Sequence, residues 1–145
     1  MKTVAAILKH KGHQVTKVDP ALPVAEVVDV LAEHRIGAVL VIDRAEQLLG
    51  IVSERDIVRS LAANGACTLE MTAGQLMTST LQFAHPETTV ADAMTKMTVS
   101  RFRYMPVLEA DRLVGLVSIG DVVKARIMEQ EDEVDSLRAY VGGST

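Results

Sequence analysis

At 145 residues, 48% of them hydrophobic, the chain can fill one compact core or two small ones sharing it, which excludes a disordered tail. Aromatics make up only 3%, and Val, Ile, Leu, Ala and Met supply the apolar content, so short buried strands under helices fit better than an aromatic-rich sandwich. The formal charge of −4 argues against broad contact with nucleic acid, and the lone Cys67 cannot form an internal disulfide, which makes a reducing cytoplasm the expected setting.

The apolar run from Val4 to Leu8 stops at Lys9-His10-Lys11, too early for a secretory h-region, so a short amphipathic helix is expected there. Lys2, Lys9, Lys11 and Lys17 make this end locally basic, as a solvated face or a phosphate-binding one. No stretch approaches the roughly 18 apolar residues that cross a bilayer. After an extended segment around Val15–Pro20, Val24, Val27, Val28 and Leu31 fall at helical spacing and predict a helix to His34 with that face buried. Ala38–Ile42 and Leu48–Val52 are apolar runs joined by the charged turn Asp43-Arg44-Ala45-Glu46-Gln47, a predicted hairpin, and a further helix follows. Ala62–Gln75 reads as a connector.

The pattern then recurs. Val15-Thr16-Lys17-Val18-Asp19-Pro20 and the helix after it match Leu81-Gln82-Phe83-Ala84-His85-Pro86 and the helix from Val90, at an offset of 66 (Pro20 to Pro86). Arg103–Leu108 and Leu113–Val117 repeat the hairpin around Glu109-Ala110-Asp111-Arg112. The expected fold is therefore α/β (α+β): two β-α-β-β-α repeats packed face to face by pseudo-twofold symmetry, because neither unit alone buries much surface. Residues 1–66 form the first repeat with the N-terminal helix, and 67–145 the second with a long C-terminal helix. That last helix, about 120–141, carries Ile127, Val134, Leu137 and Val141 on an a/d-like seam among acidic neighbours and predicts a homodimer. The seven methionines are scattered, as core filling.

The most exact recurrence is Gly-aliphatic-Val-Ser-x-x-Asp, ending a strand and opening a helix: Gly50-Ile51-Val52-Ser53-Glu54-Arg55-Asp56 and Gly115-Leu116-Val117-Ser118-Ile119-Gly120-Asp121. Ser53 and Ser118 suit N-caps, and Asp56 and Asp121 at the third helical position complete a capping box. The same geometry suits a nucleotide, with phosphate at the helix N-terminus and ribose hydroxyls on the carboxylate. Both readings stand together.

These motifs, with Leu76-Met77-Thr78 ahead of the second repeat, resemble a tandem CBS-domain pair, or Bateman module, of the small stand-alone bacterial type, over about Val4–Met128. The resemblance implies a sensor of adenosine-containing ligands, AMP, ADP, ATP or NAD(H) ahead of S-adenosylmethionine, with no catalytic cofactor and no metal. It implies two clefts between the repeats. One uses Ser118, Gly120 and Asp121 for ribose and phosphate, Leu116 beside the base, Thr16, Ile36 and Ala38 as the opposing wall, and Arg103 toward phosphate. The other uses Ile51, Ser53, Arg55 and Asp56 with Thr78, Gln82, Phe102 and Tyr104 from the second repeat. Phe102 and Tyr104 either fill that cleft or stack on a base. Arg55 and Arg103 either meet phosphate or form surface ion pairs. Ligand is expected to change the angle between the repeats and thereby the dimer surface shown to a protein target.

An enzyme is not expected. His10, His13, His34 and His85 lack ligand or triad spacing, and neither a Gly-x-Gly-x-x-Gly nor a P-loop is present. The competing readings are a constitutive dimerisation scaffold whose Ser-x-x-Asp motifs are only caps, and an accessory subunit of an enzyme encoded elsewhere.

Overall fold

The computed structural model describes residues 2–143. In chain order its elements are α1 (Val4–Lys11), β1 (Lys17–Val18), α2 (Val24–His34), β2 (Ala38–Ile42), β3 (Leu48–Ser53), α3 (Glu54–Asn64), a 3-10 segment (Gly65–Glu70), α4 (Ala73–Leu76), α5 (Val90–Ser100), β4 (Tyr104–Glu109), β5 (Arg112–Ser118) and α6 (Ile119–Gly143). They group into two compact units, one from Val15 to Leu81 and one joining the chain up to Gln14 with the chain from Gln82 onward. The boundary expected at 66/67, with the N-terminal helix on the first repeat, differs from this grouping. Val4, Ile7 and Leu8 are buried in the core of the second repeat, so α1 belongs there.

In the Val15–Leu81 unit, β1 pairs parallel with β2 (Lys17 opposite Leu40) and β2 antiparallel with β3 (Val39 opposite Val52). All five side chains of β2 are buried, as a central strand with both faces covered requires. From α2 the sheet receives Val24, Val27 and Leu31, and from α3 Ile57. Val28, read with that face in the sequence, is 37% exposed instead. The expected connector is more ordered than anticipated: α3 continues to Asn64, and α4 opens with a capping box in which the Thr72 hydroxyl accepts from Gln75 N–H and Gln75 Oε1 accepts from Thr72 N–H. Thr72 is bridged to Pro23, and Ala73 N–H donates to Leu22 O at 2.8 Å, which ties the connector to the start of α2.

The other unit has the same plan. β4 pairs antiparallel with β5 (Met105 opposite Val117), α5 buries Val90, Ala93 and Met97, and α6 contributes Val122. Thr3 is bridged to Thr89 and Val90 N–H donates to Lys2 O at 3.0 Å, so Thr3–Leu8 plays in this unit the part that Thr72–Met77 plays in its counterpart. The strand expected over 81–86 shrinks to one parallel bridge, Ala84 to Val107. In the first repeat Leu40 N–H donates to Thr16 O at 3.0 Å. The matching position, at the same offset of 66, is Pro106, which has no N–H to give.

Two glycines record where the crossing segments lie. A Cβ on Gly50 would stand 2.7 Å from Thr78 O and 2.8 Å from Met77 Sδ, and one on Gly115 would stand 2.7 Å from Leu8 Cδ2. The glycine that begins the repeated motif is thus where α1 or the α4 segment crosses the last strand of its unit, β5 or β3.

Candidate functional site

Each Ser-x-x-Asp motif sits where a strand delivers the chain into a helix. At the first, Ser53 is extended (φ −108°, ψ 161°) and its hydroxyl accepts from Asp56 N–H at 3.2 Å. Asp56 Oδ2 accepts in return from Ser53 N–H and Ser53 Oγ, both at 2.9 Å. The second carboxylate oxygen, Oδ1, accepts from Thr78 Oγ1 at 3.2 Å. Both oxygens of Asp56 are therefore engaged, and Glu54 N–H, the first of the helix, donates to Gly37 O at 2.9 Å.

At the second motif the cap is the same and the surroundings are not. Asp121 N–H donates to Ser118 Oγ at 3.1 Å, Ser118 N–H to Asp121 Oδ2 at 2.9 Å, and Ile119 N–H to Arg103 O at 2.7 Å. Lys11, at the last turn of α1, donates to the same Oδ2 at 2.6 Å and to Leu116 O at 3.0 Å. Among the described residues nothing donates to Asp121 Oδ1. Burial pushes the Asp121 pKa up, but the Lys11 hydrogen bond, the Ser118 N–H, the Lys11 charge and the Ser118 hydroxyl together outweigh it and hold the carboxyl below its ordinary value. Asp121 is thus an ionised acceptor with one oxygen fixed and one open.

The other residues singled out in the sequence divide between the units. Thr16, Ile36, Ala38, Ile51, Ser53, Arg55, Asp56 and Thr78 belong to the Val15–Leu81 unit, and Gln82, Phe102, Arg103, Tyr104, Leu116, Ser118, Gly120 and Asp121 to its counterpart. Thr78, expected from the second repeat, lies in the same unit as Asp56 because its backbone bridges to Ile51 (Thr78 N–H to Ile51 O, 2.8 Å). Tyr104 is the cross-strand partner of Ser118, as Ala38 is of Ser53. Arg55 and Arg103 are exposed, and neither takes part in an ion pair among the described residues. Lys11 reads in the sequence only as part of a basic N-terminal face, and its pairing with Asp121 is what sequence reasoning missed. The signal was the match of Thr3-to-Leu8 with Thr72-to-Met77, which places α1 beside the second motif.

Two other features bear on chemistry. Among the described residues no group of three or more His, Cys, Asp or Glu side chains is arranged to hold a metal, and no helix is long and apolar enough to cross a membrane.

The family model described as CBS domain matches the chain twice, over residues 5–63 and 73–128. The chain belongs to the CBS-domain family. A relative from Arabidopsis thaliana, the mitochondrial CBS domain-containing protein CBSX3, is 38% identical over 124 residues, 83% of this chain and 60% of that protein, so the chain spans less than two thirds of this relative's length. A solved CBS-domain-containing protein from Agrobacterium tumefaciens is 41% identical with a TM-score of 0.84, covering 86% of this chain and 99% of that one. The CBS domain pair of protein MJ0100, solved in complex with 5-methylthioadenosine and S-adenosyl-L-methionine, is 25% identical with a TM-score of 0.74, covering 86% and 98%.

Proposed function

We infer that the chain is a regulatory module, not a catalyst, that binds an adenosine-containing ligand, AMP, ADP, ATP or NAD(H), at Asp121. The observation that carries this reading is the state of that carboxylate: ionised, fixed through Oδ2, with Oδ1 free to accept from the adjacent hydroxyls of a ribose. Hydrogen bonds to a charged group contribute roughly 1.5–3 kcal/mol each, a large part of the roughly 8 kcal/mol behind micromolar binding. MJ0100, a more distant CBS pair, was solved with two adenosine compounds, which supports the ligand class. Asp56, whose Oδ1 is already taken by Thr78, is the weaker acceptor.

In this reading the protein works as a homodimer held through α6, where Ile127, Val134, Leu137 and Val141 are 47–63% exposed on the predicted seam. A cytoplasmic setting is supported by Cys67, an exposed free thiol.

With no Trp and two Tyr, the purified protein absorbs weakly at 280 nm, so a retained nucleotide dominates its ultraviolet spectrum. A ligand at a hundred times its Kd stabilises by roughly 2.7 kcal/mol, which corresponds to a melting shift of roughly 8 °C for a chain of this size. AMP, ATP or NADH is expected to give such a shift in the wild type and none in Asp121→Ala. No shift with any of the three, together with a clean spectrum, leaves the scaffold reading, in which Ser53 and Ser118 are caps alone.

A further inference from the structure

Asn64 is the only asparagine of the chain, and a glycine follows it. It stands at the exposed end of α3, where Gly65 turns the chain into the 3-10 segment with φ 68°, a conformation that suits glycine alone. Asparagine is thermolabile, and a glycine after it leaves the next backbone nitrogen unhindered to attack the side-chain amide.

The fold restrains that attack. Gly65 N–H, the nucleophile, donates to Leu61 O, and Asn64 keeps a near-helical backbone (φ −118°, ψ −6°). Asn64 Nδ2, the leaving group, donates to Ser60 Oγ at 3.2 Å. Ser60 Oγ is in turn buried against Thr68 Oγ1 at 2.8 Å, and Cys67 S–H donates to Asn64 O at 2.9 Å. The Asn64 amide therefore fastens the end of α3 to a buried hydroxyl pair inside the 3-10 segment. From there Met71 N–H donates to Thr68 O at 3.1 Å, and Met71 O accepts from Val24 N–H at 2.8 Å, at the start of α2.

We propose that Asn64 is a modification site: its self-deamidation is held in check by the fold and, once it occurs, unfastens the 3-10 segment from α3. Helix ends fray at little cost, and fraying here frees nucleophile and side chain together. Gly65 N then bonds to Asn64 Cγ as the Cγ–Nδ2 bond breaks; the proton of Gly65 N passes through water to Nδ2, which leaves as ammonia. Water opens the cyclic imide at either carbonyl, leaving aspartate or isoaspartate at position 64. Either product puts a negative charge at the carbonyl end of α3, where the helix dipole opposes it, and has no side-chain N–H for Ser60 Oγ. The connector so loosened is the one that delivers Thr78 to Asp56.

Mass spectrometry of the whole chain in mildly alkaline buffer, beside the same chain in denaturing urea and a synthetic peptide spanning Leu61–Leu69, tests the restraint. Conversion of amide to acid at residue 64 is expected in all three, at least about tenfold slower in the native chain than in the other two. Ser60→Ala, which releases Nδ2, is expected to narrow that gap. No conversion in the peptide overturns the site; a native rate equal to the peptide's, or a gap that Ser60→Ala leaves unchanged, overturns the restraint. Amide hydrogen exchange of Asn64→Asp tests the consequence. Faster exchange at Gly65 and Met71 is expected, with the amides of β2 unchanged. Exchange at Gly65 and Met71 identical to wild type overturns the unfastening.

Discussion

Lys11 Nζ lies 2.6 Å from Asp121 Oδ2, so the last turn of the N-terminal helix supplies the counter-ion of the carboxylate that opens the last helix. The two side chains are 36% and 26% exposed, and solvent screening limits the pair to about 1 kcal/mol or less. A depressed carboxyl pKa contributes stability that is full above the unfolded value, about 3.9, and is lost as pH falls through the lower folded value. Lys11→Met is therefore expected to lower the melting temperature by roughly 2–3 °C at pH 7 and to differ progressively less from wild type below about pH 4. A difference that stays constant down to pH 2 would mean that the lysine stem, not its charge, carries the effect.

The crossing segments make the two motif glycines unequal. In Gly50→Ala the new methyl meets Thr78 O, a backbone atom already hydrogen-bonded to Ile51 N–H, and cannot push it aside without breaking that bridge. In Gly115→Ala it meets only the end of the Leu8 side chain. Overpacking of this kind costs about 1–3 kcal/mol, and Gly50→Ala is expected at the upper end. Denaturant unfolding of the double variants separates the causes: Leu8→Val recovers part of the loss in Gly115→Ala, whereas Met77→Ala leaves most of the loss in Gly50→Ala.

Local patterning made most of the fold legible. The 3.6-residue spacing from Val24 gave the limits of α2, the apolar runs gave the hairpins, and the Ser-x-x-Asp spacing gave the capping geometry. What escaped was set by contacts distant in sequence. The docking of α1 rests on Leu8 beside Gly115, and the partners of Asp121 and Asp56 lie 110 and 22 residues away, as Lys11 and Thr78. The loss of the strand at 81–86 was readable in principle from Pro106, but only once the offset of 66 had been applied to hydrogen bonds as well as to side chains.

Helices α2 and α5 end alike, on Arg35 and Arg101 in the left-handed conformation with φ of 53° and 58°. A Cβ there costs roughly 1–2 kcal/mol, partly offset because glycine loses more chain entropy on folding. Arg101→Gly is expected to stabilise the protein by about 0.5–1 kcal/mol, whereas Arg101→Ala, which keeps the Cβ, does not. Thermal unfolding of the two variants side by side decides it. A loss of stability in both would show that the arginine side chain itself contributes.

The outer half of α6 separates assembly from folding. Val134 and Leu137 are 47% and 63% exposed and neither belongs to a buried cluster, so a charge at either position removes nothing from the core of its unit. In a dimer joined along the seam the same charge would be buried against its own copy, a repulsion that removes the contact. Leu137→Glu is accordingly expected to shift the mass measured by light scattering from twice 15.7 kDa to 15.7 kDa, with the melting temperature at low protein concentration changed by no more than about 2 °C. A wild type that is already monomeric at high micromolar concentration would remove α6 as the dimer contact. A variant that stays dimeric would move that contact away from the seam to another surface.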